Sequence, residues 1–106
     1  MIHVVETWRF KEEFTGQVPE LMQAMDDLVG PRTHAHSGFS GHATFFQHQA
    51  DPTTVWILYP WQSRSSHEEL TAGEIPILAE FQARHCATPR EIGYLSEVTH
   101  EHPGHE

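Results

Sequence analysis

Apolar and polar residues alternate along the first stretch of the chain. Ile2, Val4, Glu6, Trp8 and Phe10 fall on one face, and His3, Val5, Thr7 and Arg9 on the other, which is the period of a β-strand. The first face is apolar except for one carboxylate, Glu6. The period then changes. Over Phe14 to Val29 the residues Val18, Leu21, Met22, Met25, Leu28 and Val29 recur at helical spacing, with Thr15 as candidate N-cap and Gly30-Pro31 as the expected stop. Gly38 and Gly41 punctuate a polar loop before a second strand, His42 to His48. The turn signal Ala50-Asp51-Pro52-Thr53 leads into a third, Val55 to Trp61, so the two form an antiparallel hairpin. Ser65 or Ser66 is expected to cap a second helical region with the apolar stripe Leu70, Ile77, Leu78 and Phe81. Gly73 and Pro76 predict a break into two pieces, and Pro89 the end of the region. Glu91 to Thr99 reads as a fourth strand, and His100 to Glu106 as a flexible, histidine-rich C-terminal tail.

The order β-α-β-β-α-β predicts an α+β, ferredoxin-like domain over residues 1–99 with a four-stranded antiparallel sheet. Two helices cover one face of such a sheet. Apolar residues remain on the other, which predicts a homodimer in which two sheets pack together.

Composition narrows the function classes. The chain has 106 residues, with 6 Lys or Arg against 15 Asp or Glu, a formal charge of −9. That balance excludes a basic surface for nucleic acid or for an anionic membrane. The longest apolar run, Val55 to Leu58, is far too short to span a bilayer, and no signal peptide is visible, so a soluble cytoplasmic protein is expected. The single cysteine, Cys86, excludes a disulfide framework and any CxxC motif. Serine-hydrolase, P-loop and dinucleotide signatures are absent. Ten histidines make the charge, and any metal binding, sensitive to mild acid.

The stretches Ser37-Gly38-Phe39, Asp51-Pro52-Thr53 and Trp61-Gln62-Ser63 resemble, in order and spacing, the antibiotic biosynthesis monooxygenase domain family, over about the first 85 residues. The resemblance implies a dimeric α+β barrel with a ligand cavity between each sheet and its own helices. It also implies kinship with cofactor-free quinone-forming monooxygenases, haem-degrading oxygenases and polyketide-tailoring enzymes. Some family positions differ: His42 stands where a tyrosine is usual, His36 where an acidic residue is, and Leu70 where a histidine is, with His67 nearby.

Several residues could carry chemistry. Glu6, on an apolar strand face, needs a cation or a donor such as Arg84, or takes up a proton. His67, three residues before Leu70, and His85, four after Phe81, flank the second helical stripe and are candidate acid–base groups with Glu6. Trp8, Tyr59 and Trp61 could bind an aromatic substrate. His34 and His36 form an HxH pair that, on an extended segment, points both rings one way; with a third ligand from His42, Glu6 or His67 it could hold a single copper, iron, zinc or nickel ion. Three readings follow. One is a small dimeric oxygenase-like tailoring enzyme acting, without cofactor, on an aromatic or polyketide-like small molecule. Another is a metal-dependent enzyme on the same fold. The last is a non-enzymatic carrier of a small molecule, haem or metal.

Overall fold

The computed structural model describes residues 1–99; the expected tail at 100–106 lies outside them. Its elements are β1 (Ile2–Phe10), a 3-10 segment Glu12–Gln17, α1 (Val18–Ala35), β2 (Thr44–Gln47), β3 (Thr54–Trp61), α2 (Arg64–His85) and β4 (Cys86–Leu95). The strands form one antiparallel sheet in the order β2-β3-β1-β4, the ferredoxin-like arrangement.

Alternation on β1 sets the inside of the molecule. Val4, Glu6, Trp8 and Phe10 are buried, as are Val55, Ile57 and Trp61 on β3. Both helices cover this face. Val18, Leu21, Met22, Met25 and Val29 of α1, with Leu78 and Phe81 of α2, join Trp8, Phe10, Val55 and Ile57 in one apolar cluster. Val4, Trp61 and Leu70 form a second. Glu6 stands on β1 between Val4 of the second cluster and Trp8 of the first.

Several boundaries depart from the sequence reading. The α-helix begins at Val18 with Pro19 in its first turn, where a missing N–H costs nothing, so Phe14 and Thr15 belong to the 3-10 segment before it. α1 does not stop at Gly30-Pro31 but runs to Ala35. α2 is a single helix capped by Ser63, whose hydroxyl accepts from the Ser66 N–H, and Gly73 and Pro76 do not break it. Interior proline costs roughly 3 kcal/mol, and packing offsets it here. The carbonyls deprived of a donor belong to Asp27 and Ala72, both exposed to water. Buried residues lie beside each proline: Val29 and Gly30 before Pro31, with the half-buried Thr33 after it anchored to Glu74, and Glu74 before and Leu78 after Pro76. At Gly73 the end of the Arg32 side chain of α1 lies over the backbone. Finally, β4 starts at Cys86, directly from α2, and Pro89 lies inside the strand. β4 is an edge strand with register shifts near Arg9, a setting that tolerates a residue without an N–H. β2 is shorter than expected, and all four of its residues are exposed.

Among the described residues no helix lies over the opposite face of the sheet. The register brings Trp56 beside Phe46 and Thr7, and Leu58 beside Thr44 and Val5. Phe46, Trp56 and Leu95 are 50, 45 and 46% exposed.

Two glycines test the packing. A Cβ on Gly38 would sit 2.4 Å from Nε1 of the fully buried Trp61, which cannot yield. A Cβ on Gly73 would meet only the movable end of Arg32. We expect Gly38→Ala to lower unfolding free energy in urea by about 1–3 kcal/mol. Gly73→Ala should be neutral or stabilising by up to about 1 kcal/mol. Equal losses in both variants would contradict this packing.

Candidate functional site

The polar residues that interrupt the inner face converge. Glu6 from β1 meets Arg90 from β4, with Arg90 Nη1 donating to Glu6 Oε1 at 3.0 Å; Arg90 Nη2 donates to Glu74 Oε1 of α2 at 2.8 Å. The three side chains are only 7, 7 and 4% exposed for Arg90, Glu6 and Glu74. Trp8 Nε1 donates to Glu6 Oε1 at 2.9 Å, and the Tyr59 hydroxyl donates to Oε2 at 2.5 Å. The Thr33 hydroxyl, near the end of α1, donates to Glu74 Oε2 at 3.3 Å. Two carboxylates share one guanidinium. Burial pushes the Glu74 pKa up, with Arg90 opposing it, and the two carboxylates raise that of Arg90 against its own burial.

A second chain of contacts begins at Tyr59. Its hydroxyl oxygen lies 2.6 Å from His67 Nε2, and His67 Nδ1 lies 2.9 Å from the Tyr94 hydroxyl. Tyr59 has one hydroxyl hydrogen and gives it to Glu6, so His67 Nε2–H donates to Tyr59. Burial is the main reason that the His67 pKa falls to about 4, so the imidazole is neutral near pH 7. Its Nδ1 therefore accepts from Tyr94. Burial, followed by the nearby Glu6 carboxylate, drives the Tyr59 pKa strongly upward and keeps the phenol protonated.

Beside this network lies a cavity of about 150 Å³, lined by Met25, Val29, Phe39 and Ile57 and by Glu6, Tyr59, Glu74 and Arg90. His34 and His42 line it too and are themselves exposed, so they stand at its open side. With Phe39 they form an edge-to-face group with ring centroids 4.9 to 5.5 Å apart.

The predicted residues thus divide. Glu6, Tyr59 and His67 come together. Trp8 and Trp61 are fully buried beside the network rather than lining the cavity; Trp8 holds Glu6, while Trp61 donates to Ser66 Oγ at 3.1 Å and packs on Gly38. His85 is elsewhere, packed on Phe14 and Phe81 with its Nδ1 3.0 Å from the Phe81 carbonyl oxygen. The expected partner of Glu6 is Arg90, not Arg84, which is exposed in the last turn of α2. The HxH pair is not extended. Because α1 runs to Ala35, His34 is helical and lines the cavity, whereas His36 caps the helix, accepts from the Gly38 N–H and pairs with Glu69. Among the described residues no group of three or more His, Cys, Asp or Glu is placed to hold a metal ion.

Glu74, Arg90 and Tyr94 escaped the sequence reading, although their signals are present. Glu74 lies four residues from both Leu70 and Leu78, on the buried stripe. Arg90, Ile92 and Tyr94 alternate along one face of β4.

No family model matches the chain, and no curated protein matches it. Solved structures do. A crystal structure of an antibiotic biosynthesis monooxygenase is 18% identical, with a TM-score of 0.68 over 93% of this chain and 100% of its own. A Streptomyces coelicolor monooxygenase in complex with nanaomycin D is also 18% identical, with a TM-score of 0.66 over 97% of this chain and 92% of its own. The cofactor-independent oxygenase SnoaB from Streptomyces nogalater is 11% identical, with a TM-score of 0.64 over 93% of this chain and 94% of its own. At these identities the chain shares their fold. No helix among the described residues is long and apolar enough to cross a membrane.

The buried imidazole makes stability depend on pH. His67 takes a proton near 6.5 when unfolded but resists protonation to about 4 when folded. Its contribution is intact above 6.5 and is lost as pH falls towards 4, by about 3 kcal/mol in all. Glu6, Glu68, Arg90 and His36 supply the charges around it, with Tyr59 and Tyr94 on its ring nitrogens. Glu74, with its raised pKa, contributes in the opposite sense as pH falls. The difference between wild type and His67→Gln isolates the imidazole. The wild-type urea midpoint should drop more steeply than that of the variant over this range, and parallel curves would refute the assignment.

Proposed function

We propose that this chain, which shares the fold of these monooxygenases, is a cofactor-independent oxygenase acting on a small electron-rich phenol or hydroquinone in the cavity within each subunit. The observation that carries this reading is the buried Glu6–Arg90–Glu74 cluster, with Tyr59, forming the polar wall of an otherwise apolar cavity. A cavity of about 150 Å³ admits one aromatic ring. A fused, polyketide-like second ring would extend towards His34 and His42. The two Streptomyces structures, one a cofactor-independent oxygenase and one a monooxygenase complexed with nanaomycin D, support the same direction.

In this mechanism a Glu6 carboxylate oxygen takes the substrate's hydroxyl proton. Arg90, fixed by two carboxylates, offers its positive charge to the resulting phenolate. The electron-rich ring reduces dioxygen, and a peroxide forms at a ring carbon that bears hydrogen. Loss of water then leaves a quinone, so one oxygen atom enters the product and the other leaves as water. The substrate supplies the electrons. Met25, Val29, Phe39 and Ile57 hold the ring away from bulk water.

We further propose that two copies pack through the open sheet face bearing Phe46, Trp56 and Leu58. Phe46, Trp56 and Leu95 are exposed on this face, and no helix among the described residues covers it.

Oxygen uptake with a panel of one- and two-ring hydroquinones tests the reading. Glu6→Gln should reduce kcat/KM by about 100-fold or more, mainly in kcat. Activity within about threefold of wild type would remove Glu6 as the base. For assembly, light scattering should give a dimer, and Trp56→Glu with Leu58→Glu should give a folded monomer; a monomeric wild type would end the proposal.

A further inference from the structure

Four side chains form an unbroken hydrogen-bonded line from the cavity to the edge of the sheet. Glu6 Oε2 accepts from Tyr59 at 2.5 Å, the Tyr59 oxygen accepts from His67 Nε2 at 2.6 Å, and His67 Nδ1 accepts from Tyr94 at 2.9 Å. Glu6 and Tyr59 line the cavity. His67 is fully buried. Tyr94 is half-buried on β4, the edge strand, with the exposed Arg64 over its ring at 5.1 Å. The other oxygen of Glu6 is occupied by Trp8 and Arg90. A ring seated in the cavity would fill its open side, leaving the Tyr59 direction as the way from Glu6 to water.

Packing alone does not call for this line. His67 holds a stripe position of α2, three residues before Leu70, where an aliphatic side chain would bury without a desolvation cost. Instead every polar atom is matched: among the described residues no buried side-chain nitrogen or oxygen lacks a partner. All three bonds also run in one sense, each donor aimed inward, towards Glu6.

We propose that Tyr59, His67 and Tyr94 form a proton path that joins Glu6 to solvent while the cavity is occupied. This rests on the role given to Glu6 above. On the inward pass a water proton binds the Tyr94 oxygen, and the Tyr94 O–H bond breaks as its proton moves to His67 Nδ1. The His67 Nε2–H bond breaks as that proton moves to the Tyr59 oxygen, and the Tyr59 O–H bond breaks as its proton reaches Glu6 Oε2. Tyr94, His67 and Tyr59 each end with as many protons as they began with, and Glu6 gains one. The reverse order returns that proton to water. Tyr59, His67 and Tyr94 are thus positioning and relay groups, and none needs to touch the reacting carbon.

The test uses 4-nitrophenol as probe, whose phenolate is yellow, bound to the full-length protein without oxygen. Bound probe is subjected to rapid pH jumps between about pH 6 and about pH 9, and its colour is followed in both directions. In wild type the bound probe should track the jump faster than it dissociates, as measured by displacement at constant pH. Tyr94→Phe keeps the ring and lies outside the cavity lining, so the probe should still bind; the colour change should slow by at least about tenfold in both directions. His67→Gln should do the same. If His67→Gln fails to fold, Tyr94→Phe decides alone. Rates within about twofold of wild type in Tyr94→Phe would overturn the path, as would a wild-type probe that responds no faster than it dissociates. Because no turnover is involved, the path can succeed in a protein that oxidises no hydroquinone, and can fail in one that does.

Discussion

The structure is organised around one buried cation. The Arg90 guanidinium lies almost out of solvent between two carboxylates, Glu6 on β1 and Glu74 on α2, and it comes from β4. A charge in that position is tolerated only when it is paired and hydrogen-bonded, and removing a partner typically costs about 3–5 kcal/mol. The three elements are therefore held in one relative position by a requirement that apolar packing does not impose. Thr33 extends the constraint to α1 through its bond to Glu74. In this way both helices and the two strands β1 and β4 are tied to a single polar point.

That point divides the core. Apolar side chains gather on either side of it, one group around Trp8, Phe10 and Leu78 and the other around Val4, Trp61 and Leu70. The cavity opens where the polar residues replace apolar ones along the inner face. Cavity and charge cluster thus have one origin: stripe and strand positions that would otherwise hold leucine or valine carry Glu6, Tyr59, His67 and Glu74. The same burial that makes these residues costly sets their chemistry. It keeps His67 neutral and Tyr59 protonated, and it leaves Glu74 readier than an ordinary glutamate to hold a proton.

The histidines show how position decides role. His67 is built into the interior and His34 and His42 stand at the cavity's open side, while His36 serves as a helix cap bound to Gly38 and Glu69 and His85 packs between two phenylalanines. An abundance of one residue type in the composition thus separates into unrelated tasks once the backbone places them.

Local periodicity carried much of this protein's design. The alternation on β1 was enough to define the inside of the sheet and to single out Glu6, because the strand period is set by the backbone and needs no partner. The order of elements was legible for the same reason. The ends of the helices were not: Gly30-Pro31, Gly73 and Pro76 are local breakers, and only contacts across the fold, such as Thr33 with Glu74, carry the helices through them. With α2 read as broken, Glu74 had no stripe to belong to. With β4 read from Glu91 instead of Cys86, Arg90 fell outside the strand, and the partner of Glu6 was sought at Arg84. An ion pair between residues 84 positions apart has no periodic signature. Sequence alone therefore determined which faces are apolar and that one of them holds a carboxylate. Tertiary structure decided which cation meets it, because that choice is made by how strands and helices pack, not by spacing along the chain.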